Sequence, residues 1–226
     1  TAPGASAATR RKFLSGAAAA TASAAALGFP HIARGQTGPV NLRIQSTWPS
    51  KDIFHEMAGD LVKKVNDMSG GELRLELLPA GAVVPAFGLL DAVSKGTLDA
   101  GHGVLAYHYG KQTALALWGS GPAFGMDANM VLAWHKYGGG KQLLDKIYNS
   151  IGANVVSFVY GPMPTQPLGW FKKPVTKPAD FKGLKYRTVG LSIDVFTGLG
   201  AAVNALAGGE IVPAMDRGLL DAAEFN

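Results

Sequence analysis

The stretch Val40-Asn41-Leu42-Arg43-Ile44-Gln45-Ser46 alternates apolar and polar side chains, which predicts a first β-strand. A stripe of apolar residues at helical spacing follows between positions 53 and 65, with Ser50 as the expected N-cap. Alternating leucines at 73–77 predict a second strand, and a short helix and a third strand are expected between 89 and 103. Strands and helices that alternate in this order are typical of an α/β fold with a largely parallel sheet.

The sequence after residue 103 continues this alternation. Residues 129–137 and 142–150 are expected to be helical, and the apolar, β-branched run 155–160 is expected to be a buried strand. Further strands are expected at 168–172, 184–187, 203–206 and 221–226, and further helices at 193–199 and 210–218.

A short motif occurs twice, as Lys95-Gly96-Thr97-Leu98-Asp99-Ala100 and as Arg217-Gly218-Leu219-Leu220-Asp221-Ala222, at an offset of 122. One interpretation is a chance repeat of the residues that commonly end a helix and begin a strand. The other is two similar α/β lobes, each of which places the end of that strand at a shared cleft. Because open α/β sheets bind ligands beyond the carboxyl ends of their strands, the second interpretation sets residues from 103 onward against Glu224-Phe225.

The N-terminal segment has the pattern of an export signal. Residues 9–14, Thr-Arg-Arg-Lys-Phe-Leu, contain a paired arginine and precede a weakly apolar, alanine-rich run at 16–27. That run is too short to span a bilayer, so residues 1–35 are interpreted as a cleaved twin-arginine signal that directs the protein to the periplasm. The alternative is an ordinary amphipathic N-terminal helix.

The charge of the chain outside this signal argues against a nucleic-acid-binding protein. The formal charge of +5 includes four bases of the signal, which leave 17 bases against 16 acids in the rest. Such a near-neutral chain lacks the basic surface that binds nucleic acid. The absence of cysteine excludes disulfides and thiolate metal sites. The final residues, 221–226, have the pattern of a strand interior, so we expect a chain truncated at its C-terminus.

The sequence lacks the motifs of the common enzyme classes. His55-Glu56 is not followed by the second histidine of a zincin, and Gly138-Gly139-Gly140-Lys141 lacks the hydroxyl residue of a phosphate-binding loop. Gly119-Ser120-Gly121 lacks the spacing of a nucleophile elbow. We therefore expect a protein that is not an enzyme. The alternative is a periplasmic α/β enzyme that acts on a carboxylate, with Glu224 or His108 as its base.

Three positions carry chemistry suited to a small organic acid. Arg187 offers a guanidinium fork that matches a carboxylate. Gln166 and Glu224 offer amide and carboxylate oxygens, which suit a hard cation. If the fold brings them together, they form a receptor site for an acid with its counter-cation. Each also has an ordinary structural interpretation, as a surface arginine, a turn residue and a surface ion pair.

Several longer motifs resemble those of the solute receptors of tripartite ATP-independent periplasmic (TRAP) transporters. They are the twin-arginine signal, Gln45-Ser46-Thr47-Trp48, Leu98-Asp99-Ala100-Gly101-His102-Gly103, Ala106-Tyr107-His108-Tyr109-Gly110-Lys111, Gly183-Leu184-Lys185-Tyr186-Arg187 and Asp221-Ala222-Ala223-Glu224-Phe225-Asn226. The resemblance covers residue 40 to the end. It is greatest to the branch that binds 2-oxo and 2-hydroxy monocarboxylates, such as pyruvate and lactate, together with a metal cation. It implies a two-lobed, periplasmic binding protein-like α/β fold with mixed or parallel sheets, flanking helices and a cleft between the lobes. Residues 36–160 would form mainly the first lobe, and 161–226 the start of the second.

The resemblance also implies roles for individual residues. Arg187 would form the salt bridge to the substrate carboxylate, and Gln166 would coordinate the cation and touch the substrate. Glu224 would be an anionic ligand of the cation. Phe225 would supply a backbone carbonyl to the cation and an apolar wall to the substrate.

Two further positions are implied on the opposite side of the cleft. Tyr107 would donate a hydrogen bond to the substrate, although the run that follows is one residue shorter than is usual in the family. Trp48 would line the wall of the first lobe. The implied cation is sodium or calcium, and the implied partners are the TRAP membrane subunits, with a homodimer of the full-length protein as a further expectation. The alternative is a receptor for another organic acid, such as a dicarboxylate, sugar acid or aromatic acid, without metal.

Overall fold

Two sheets carry the part of the chain that the computed structural model describes, which is residues 38–119, 125–161 and 163–226. The strands are β1 (Val40–Ser46), β2 (Leu73–Leu78), β3 (Ala100–His102), β4 (Trp170–Phe171), β5 (Lys185–Arg187), β6 (Ala202–Asn204) and β7 (Ala222–Ala223). The first sheet has the order β2-β1-β3 and is parallel. The second has the order β4-β7-β5-β6, in which only β4 is antiparallel to its neighbour. The expected α/β fold with parallel and mixed sheets is confirmed.

The helices lie close to their expected positions. In the described ranges the α-helices are α1 (Ile53–Met68), α2 (Leu89–Ser94), α3 (Ala128–Tyr137), α4 (Gly140–Ser150), α5 (Ser192–Gly198) and α6 (Gly208–Asp216). Short 3-10 turns connect them, one of which, Leu105–His108, follows β3. No helix among these residues is long and apolar enough to cross a membrane. The predicted export signal lies outside the described residues.

The start of α1 corrects one expectation. Asp52, not Ser50, is the N-cap, because its carboxylate accepts a hydrogen bond from the Phe54 amide at 2.9 Å. The Asp52 amide in turn donates to the Pro49 carbonyl at 3.0 Å. This turn carries the chain past Ser50 before the helix begins.

The run 155–160 is not the buried strand that its composition predicted. It pairs with no strand of the described chain, and the exposed fractions of Val156 and Phe158 are 76% and 81%. Only alternate residues are half-buried, and Val155 packs against a core cluster that contains Leu144 and Tyr148. The apolar, β-branched composition of this run therefore predicted neither its exposure nor its lack of a partner strand.

The motif repeated at an offset of 122 has the same conformation in both places. Gly96 and Gly218 both have φ of +72°, a left-handed conformation that favours glycine. After the first glycine, two amides donate to the Ala92 carbonyl, and after the second, two amides donate to the Ala214 carbonyl. The leucine that follows, at position 98 or 220, is 1% exposed in each case. The motif therefore ends a helix and leads into a strand in both places, which both interpretations of the repeat predicted.

The aspartate of each motif fixes the neighbouring strand in register. The Asp99 carboxylate accepts the Arg43 amide of β1 at 2.8 Å, and the Asp221 carboxylate accepts the Lys185 amide of β5 at 3.1 Å. In return, Arg43 Nη2 donates to the carbonyl of residue 97 at 2.9 Å, and Lys185 Nζ donates to that of Gly218 at 3.0 Å. The same β-α-β arrangement is therefore built twice, and Arg187 and Glu224 follow its second copy.

Candidate ligand-binding site

Arg187 ends β5 and is buried, with 1% of its side chain exposed. Nε donates to the Leu206 carbonyl at 2.8 Å, and Nη1 donates to the Glu224 carbonyl at 2.6 Å and to its Oε2 at 3.3 Å. Nη2 is buried and has no partner in the described chain. A buried donor without a partner destabilises a fold by about 1–3 kcal/mol, so this nitrogen is suited to an acceptor from outside the protein.

The preceding residue explains how the arginine is held. Tyr186 is fully buried in an aromatic cluster with Phe181 and Phe196, at ring-centroid distances of 6.0 and 4.6 Å. Because successive side chains of a strand point to opposite faces, anchoring Tyr186 in this core turns Arg187 to the other face of the sheet. The core of the second sheet thus orients the candidate ligand-binding residue.

Glu224 follows β7 and lies directly beside Arg187. Its amide donates to the Arg187 carbonyl at 3.0 Å, and its Oε2 accepts from the Thr188 hydroxyl at 3.0 Å. Burial raises the pKa of Glu224, and the Arg187 charge and the Thr188 hydrogen bond oppose that rise. Among the described residues Oε1 has no hydrogen-bond donor, which leaves it available as a ligand.

Phe225 closes the site on the apolar side. Its ring centroid lies 5.7 Å from Cζ of Arg187, and its backbone carbonyl accepts from Trp170 Nε1 at 3.3 Å. The ring also packs on the start of α6, where a Cβ added to Gly208 would lie 2.7 Å from two ring atoms. Glycine at 208 is thus required for this close approach.

Tyr107 brings the turn after β3 to the same place. Burial raises its pKa and the Glu224 charge adds to the rise, whereas the nearby Arg187 charge, the Gly208 amide and the approach of the hydroxyl to the Arg187 side chain oppose it. Its ring packs edge-on against Phe87 with centroids 5.0 Å apart. Residues after β3 therefore meet residues after β5 and β7, as the interpretation with two lobes and a shared cleft predicted.

The structure does not bring two predicted residues into contact with this group. Gln166 is exposed, and no described hydrogen bond joins it to Arg187, Glu224 or Phe225. Trp48 is 3% exposed and packs against Phe54 and His102, with ring centroids 5.0 and 4.8 Å away. Their binding roles stay predictions.

Thr188 is the residue of this group that the sequence did not reveal. It directly follows Arg187, and the register that pairs Arg187 with Ala223 places Thr188 opposite Glu224. Asp221 of the repeated motif sets that register by accepting the Lys185 amide. The repeat is therefore the feature of the sequence from which the contact between Thr188 and Glu224 could have been predicted.

His108, the other candidate base, lies in a different environment. It is 6% exposed, and burial together with the Lys111 charge lowers its pKa to about 4, against a partial opposing effect of Asp91. It is neutral at neutral pH. No described hydrogen bond connects it to Arg187 or Glu224.

Comparison with known proteins gives the class. The model of the family described as bacterial extracellular solute-binding protein, family 7 (DctP), matches residues 44–226, and the chain belongs to this family. It is a family of receptors and not of enzymes, which sets aside the enzyme alternative.

Individual relatives are more specific. The chain is 40% identical, over 96% of its length and 60% of the relative's, to the monocarboxylate 2-oxoacid-binding periplasmic protein of Nostoc sp.. A TRAP transporter solute-binding protein from Bordetella bronchiseptica, with copurified calcium and picolinate, is 35% identical with a TM-score of 0.77. The match covers 83% of this chain and 55% of that one. A second TRAP solute-binding protein, from Pseudoalteromonas atlantica with bound sodium and pyruvate, is 32% identical with a TM-score of 0.76. That match covers 83% of this chain and 56% of the other. The chain thus spans little more than half the length of the relatives it matches.

Proposed function

We propose that this protein is an extracytoplasmic solute receptor of a TRAP transporter that binds a small 2-oxo or 2-hydroxy monocarboxylate together with sodium or calcium. The observation that carries the proposal is the buried Nη2 of Arg187, which has no partner in the described chain and lies beside Glu224. The names of the Nostoc and Pseudoalteromonas relatives support a 2-oxoacid as the ligand.

Arg187 holds the acid through one side of its guanidinium group. Nε and Nη1 donate to the carbonyls of Leu206 and Glu224. The sequence suggested that the whole guanidinium fork would face the carboxylate, but only part of it is available. The two N–H donors of Nη2 remain for the carboxylate, and a hydrogen bond to a charged acceptor contributes about 1.5–3 kcal/mol. The Tyr107 hydroxyl, close to the guanidinium, is the second donor that we assign to the acid.

The cation is held by oxygen atoms beside the acid. The ranges that the structure describes contain no group of three acidic or histidine side chains that could hold a metal. We propose Glu224 as the anionic ligand and neutral oxygen atoms as the others. Within the described chain Glu224 Oε1 has no hydrogen-bond donor and the Phe225 carbonyl accepts one long hydrogen bond, so both oxygens fit a hard cation. Gln166 completes the set that we propose. When bound, the cation supplies a coordination position for the 2-oxo or 2-hydroxy oxygen of the acid, which favours 2-substituted acids over plain ones.

The charges of this group suit a dehydrated cleft. Arg187 balances the carboxylate of the acid, and Glu224 balances one charge of the cation. With a monovalent cation the four charges cancel, and with a divalent cation one positive charge remains. Because an uncompensated charge is unfavourable in a buried site, we expect sodium to need less compensation from solvent than calcium does.

The wider setting follows from the family. We propose that the mature receptor is exported by the twin-arginine route to the periplasm, and that it closes two lobes, beginning near residues 36 and 161, over the acid. The loaded receptor then delivers the acid to the TRAP membrane subunits. A homodimer of the full-length protein is part of this proposal.

Isothermal titration calorimetry tests the binding proposal. Purified protein is titrated with pyruvate and with lactate in sodium, in calcium and after chelation in a sodium-free buffer. We expect binding that strengthens with one of the cations. Folded protein that binds neither acid under any of these conditions contradicts the proposal, and equal binding without cation favours the alternative of an organic-acid receptor that uses no metal.

A further inference from the structure

Thr188 is buried between the two strands that carry the site. It is fully inaccessible to solvent, and its hydroxyl donates to Glu224 Oε2 at 3.0 Å. The residues on either side of this contact are also tied together, since the Glu224 amide donates to the Arg187 carbonyl and Arg187 Nη1 donates to the Glu224 carbonyl. The backbone of Glu224 is therefore fixed independently of its side chain.

The side-chain carboxylate is held at one oxygen only. Oε2 accepts from Thr188 at 3.0 Å and from Arg187 Nη1 at 3.3 Å, and the same nitrogen donates to the Glu224 carbonyl at 2.6 Å. Thr188 is therefore the closer donor. With Oε2 engaged on this side, Oε1 is left on the other side without a hydrogen bond in the described chain.

A threonine suits this position for two reasons. Rotation about the last torsion of a glutamate side chain has broad minima, so a carboxylate without a hydrogen bond samples many orientations. The β-branched threonine has few side-chain rotamers, so its hydroxyl gives a well-defined direction. It is also an uncharged donor, which holds Oε2 without neutralising the negative charge of Glu224.

We propose that Thr188 is a positioning residue, which fixes Oε2 of Glu224 so that Oε1 is presented to the cation bound with the acid. This inference rests on the proposed function. It assigns Thr188 no direct contact with acid or cation. Loss of the Thr188 hydroxyl should weaken binding of the cation and leave in place the arginine that binds the carboxylate.

The test compares Thr188→Val, which keeps the shape and removes the hydroxyl, with Thr188→Ser, which keeps the hydroxyl. Pyruvate affinity is measured by calorimetry over a series of sodium and of calcium concentrations. We expect the valine variant to need roughly 10-fold more cation for half of the full effect, with unchanged affinity in the absence of cation. The serine variant should restore most of the wild-type response.

Thr176→Val is the matched control. The Thr176 hydroxyl also donates to a carboxylate at 3.0 Å, that of Asp180, but it lies on an exposed turn outside the proposed site. We expect it to keep the wild-type cation response. Thermal unfolding in cation-free buffer checks that each variant is folded, and Thr188→Ala replaces the valine variant if that one does not fold.

The outcomes separate the two proposals. A cation-dependent wild type whose response is unchanged in both Thr188→Val and Thr188→Ala overturns the role of Thr188 alone. A wild type whose binding does not depend on cation overturns the cation site and this role with it. A crystal structure of the valine variant adds a readout independent of binding, since the Glu224 carboxylate should have left the orientation described above.

Discussion

Arg187→Lys keeps the positive charge of the site but removes the planar guanidinium group. In the structure three acceptors share this group: the Leu206 carbonyl, the Glu224 carbonyl and Glu224 Oε2. A lysine ammonium is a single nitrogen on a flexible stem, so it cannot serve these acceptors and an incoming carboxylate at the same time. We therefore expect the variant to fold with reduced stability and to bind acid weakly.

The magnitude follows from the number of donors lost. A hydrogen bond to a charged partner contributes about 1.5–3 kcal/mol, and 1.4 kcal/mol corresponds to a tenfold change in Kd. Loss of one such bond to the acid therefore weakens binding roughly 10- to 100-fold. The Leu206 carbonyl, left without its donor, should lower the free energy of unfolding by about 1–3 kcal/mol.

The assay is calorimetric titration with pyruvate at saturating cation, together with urea unfolding of the free protein. Arg43→Lys is the control, because it makes the same replacement at the corresponding strand of the first sheet. There Arg43 Nη2 donates to one carbonyl, and Lys185 already fulfils the equivalent role in the second sheet. We expect wild-type affinity from this control. Wild-type affinity from Arg187→Lys would refute the assignment of Nη2 to the acid.

Three further predictions concern stability and closure. His108 has a folded-state pKa of about 4 against 6.5 for an unperturbed histidine, so the unfolded state takes up a proton at higher pH than the folded state does. The free energy of unfolding should therefore fall by about 3 kcal/mol as the pH drops from 6.5 to 4. His108→Gln should remove this loss, as measured by urea unfolding at a series of pH values. Gly208→Ala places a methyl group against the Phe225 ring and should reduce the free energy of unfolding by about 1–3 kcal/mol. Tyr109→Phe removes the hydrogen bond from the Tyr109 hydroxyl to Asp194, which joins the turn after β3 to α5. Because this contact would hold the two sides of the cleft together, its loss should speed release of bound pyruvate roughly 2- to 10-fold in stopped-flow experiments.

Each of these has a result that contradicts it. Identical slopes of stability against pH in wild type and His108→Gln would show that His108 is not the buried neutral group. Gly198→Ala is the control for Gly208→Ala, since an added Cβ meets nothing there, and equal effects of the two would contradict the steric argument. Unchanged release from Tyr109→Phe and from Asp194→Asn would show that this contact does not hold the closed form.

The sequence was sufficient for most of the fold because each element carried local signals. The repeated Leu-Asp-Ala motif predicted a strand twice, and its aspartates at 99 and 221 form the same amide contact in both sheets. The helix stripe of α1 was also recognisable, but Ser50 was the wrong cap. Ser50 and Asp52 are both residues that commonly cap a helix, and the turn from Pro49 to Asp52 that decides between them is not specified by the local pattern.

The remaining errors and omissions depend on partners that lie far away in the sequence. The run 155–160 had the composition of a buried strand, but composition does not provide a neighbouring strand to pair with. Thr188 and the Leu206 carbonyl gain their roles only through contacts with residues 36 and 19 positions away. Arg187 and Glu224 were predicted, with Gln166, as parts of one site, whereas the hydrogen bonds of Nε and Nη1 to the Leu206 and Glu224 carbonyls depend on the tertiary fold.

One of the positions at which the two copies of the β-α-β arrangement differ is that of Arg187. Gln45 on β1 pairs with Gly101 as Arg187 on β5 pairs with Ala223, so the two side chains hold equivalent places in their sheets. Gln45 is uncharged, and its amide group donates to the Val84 carbonyl and accepts from the Val83 and Val84 amides. One sheet thus uses this position to hold its own loop, and we propose that the other uses it to bind the acid. We therefore expect an acid that enters the cleft to bind first to the half that carries Arg187, and the opposite half to close over it afterwards.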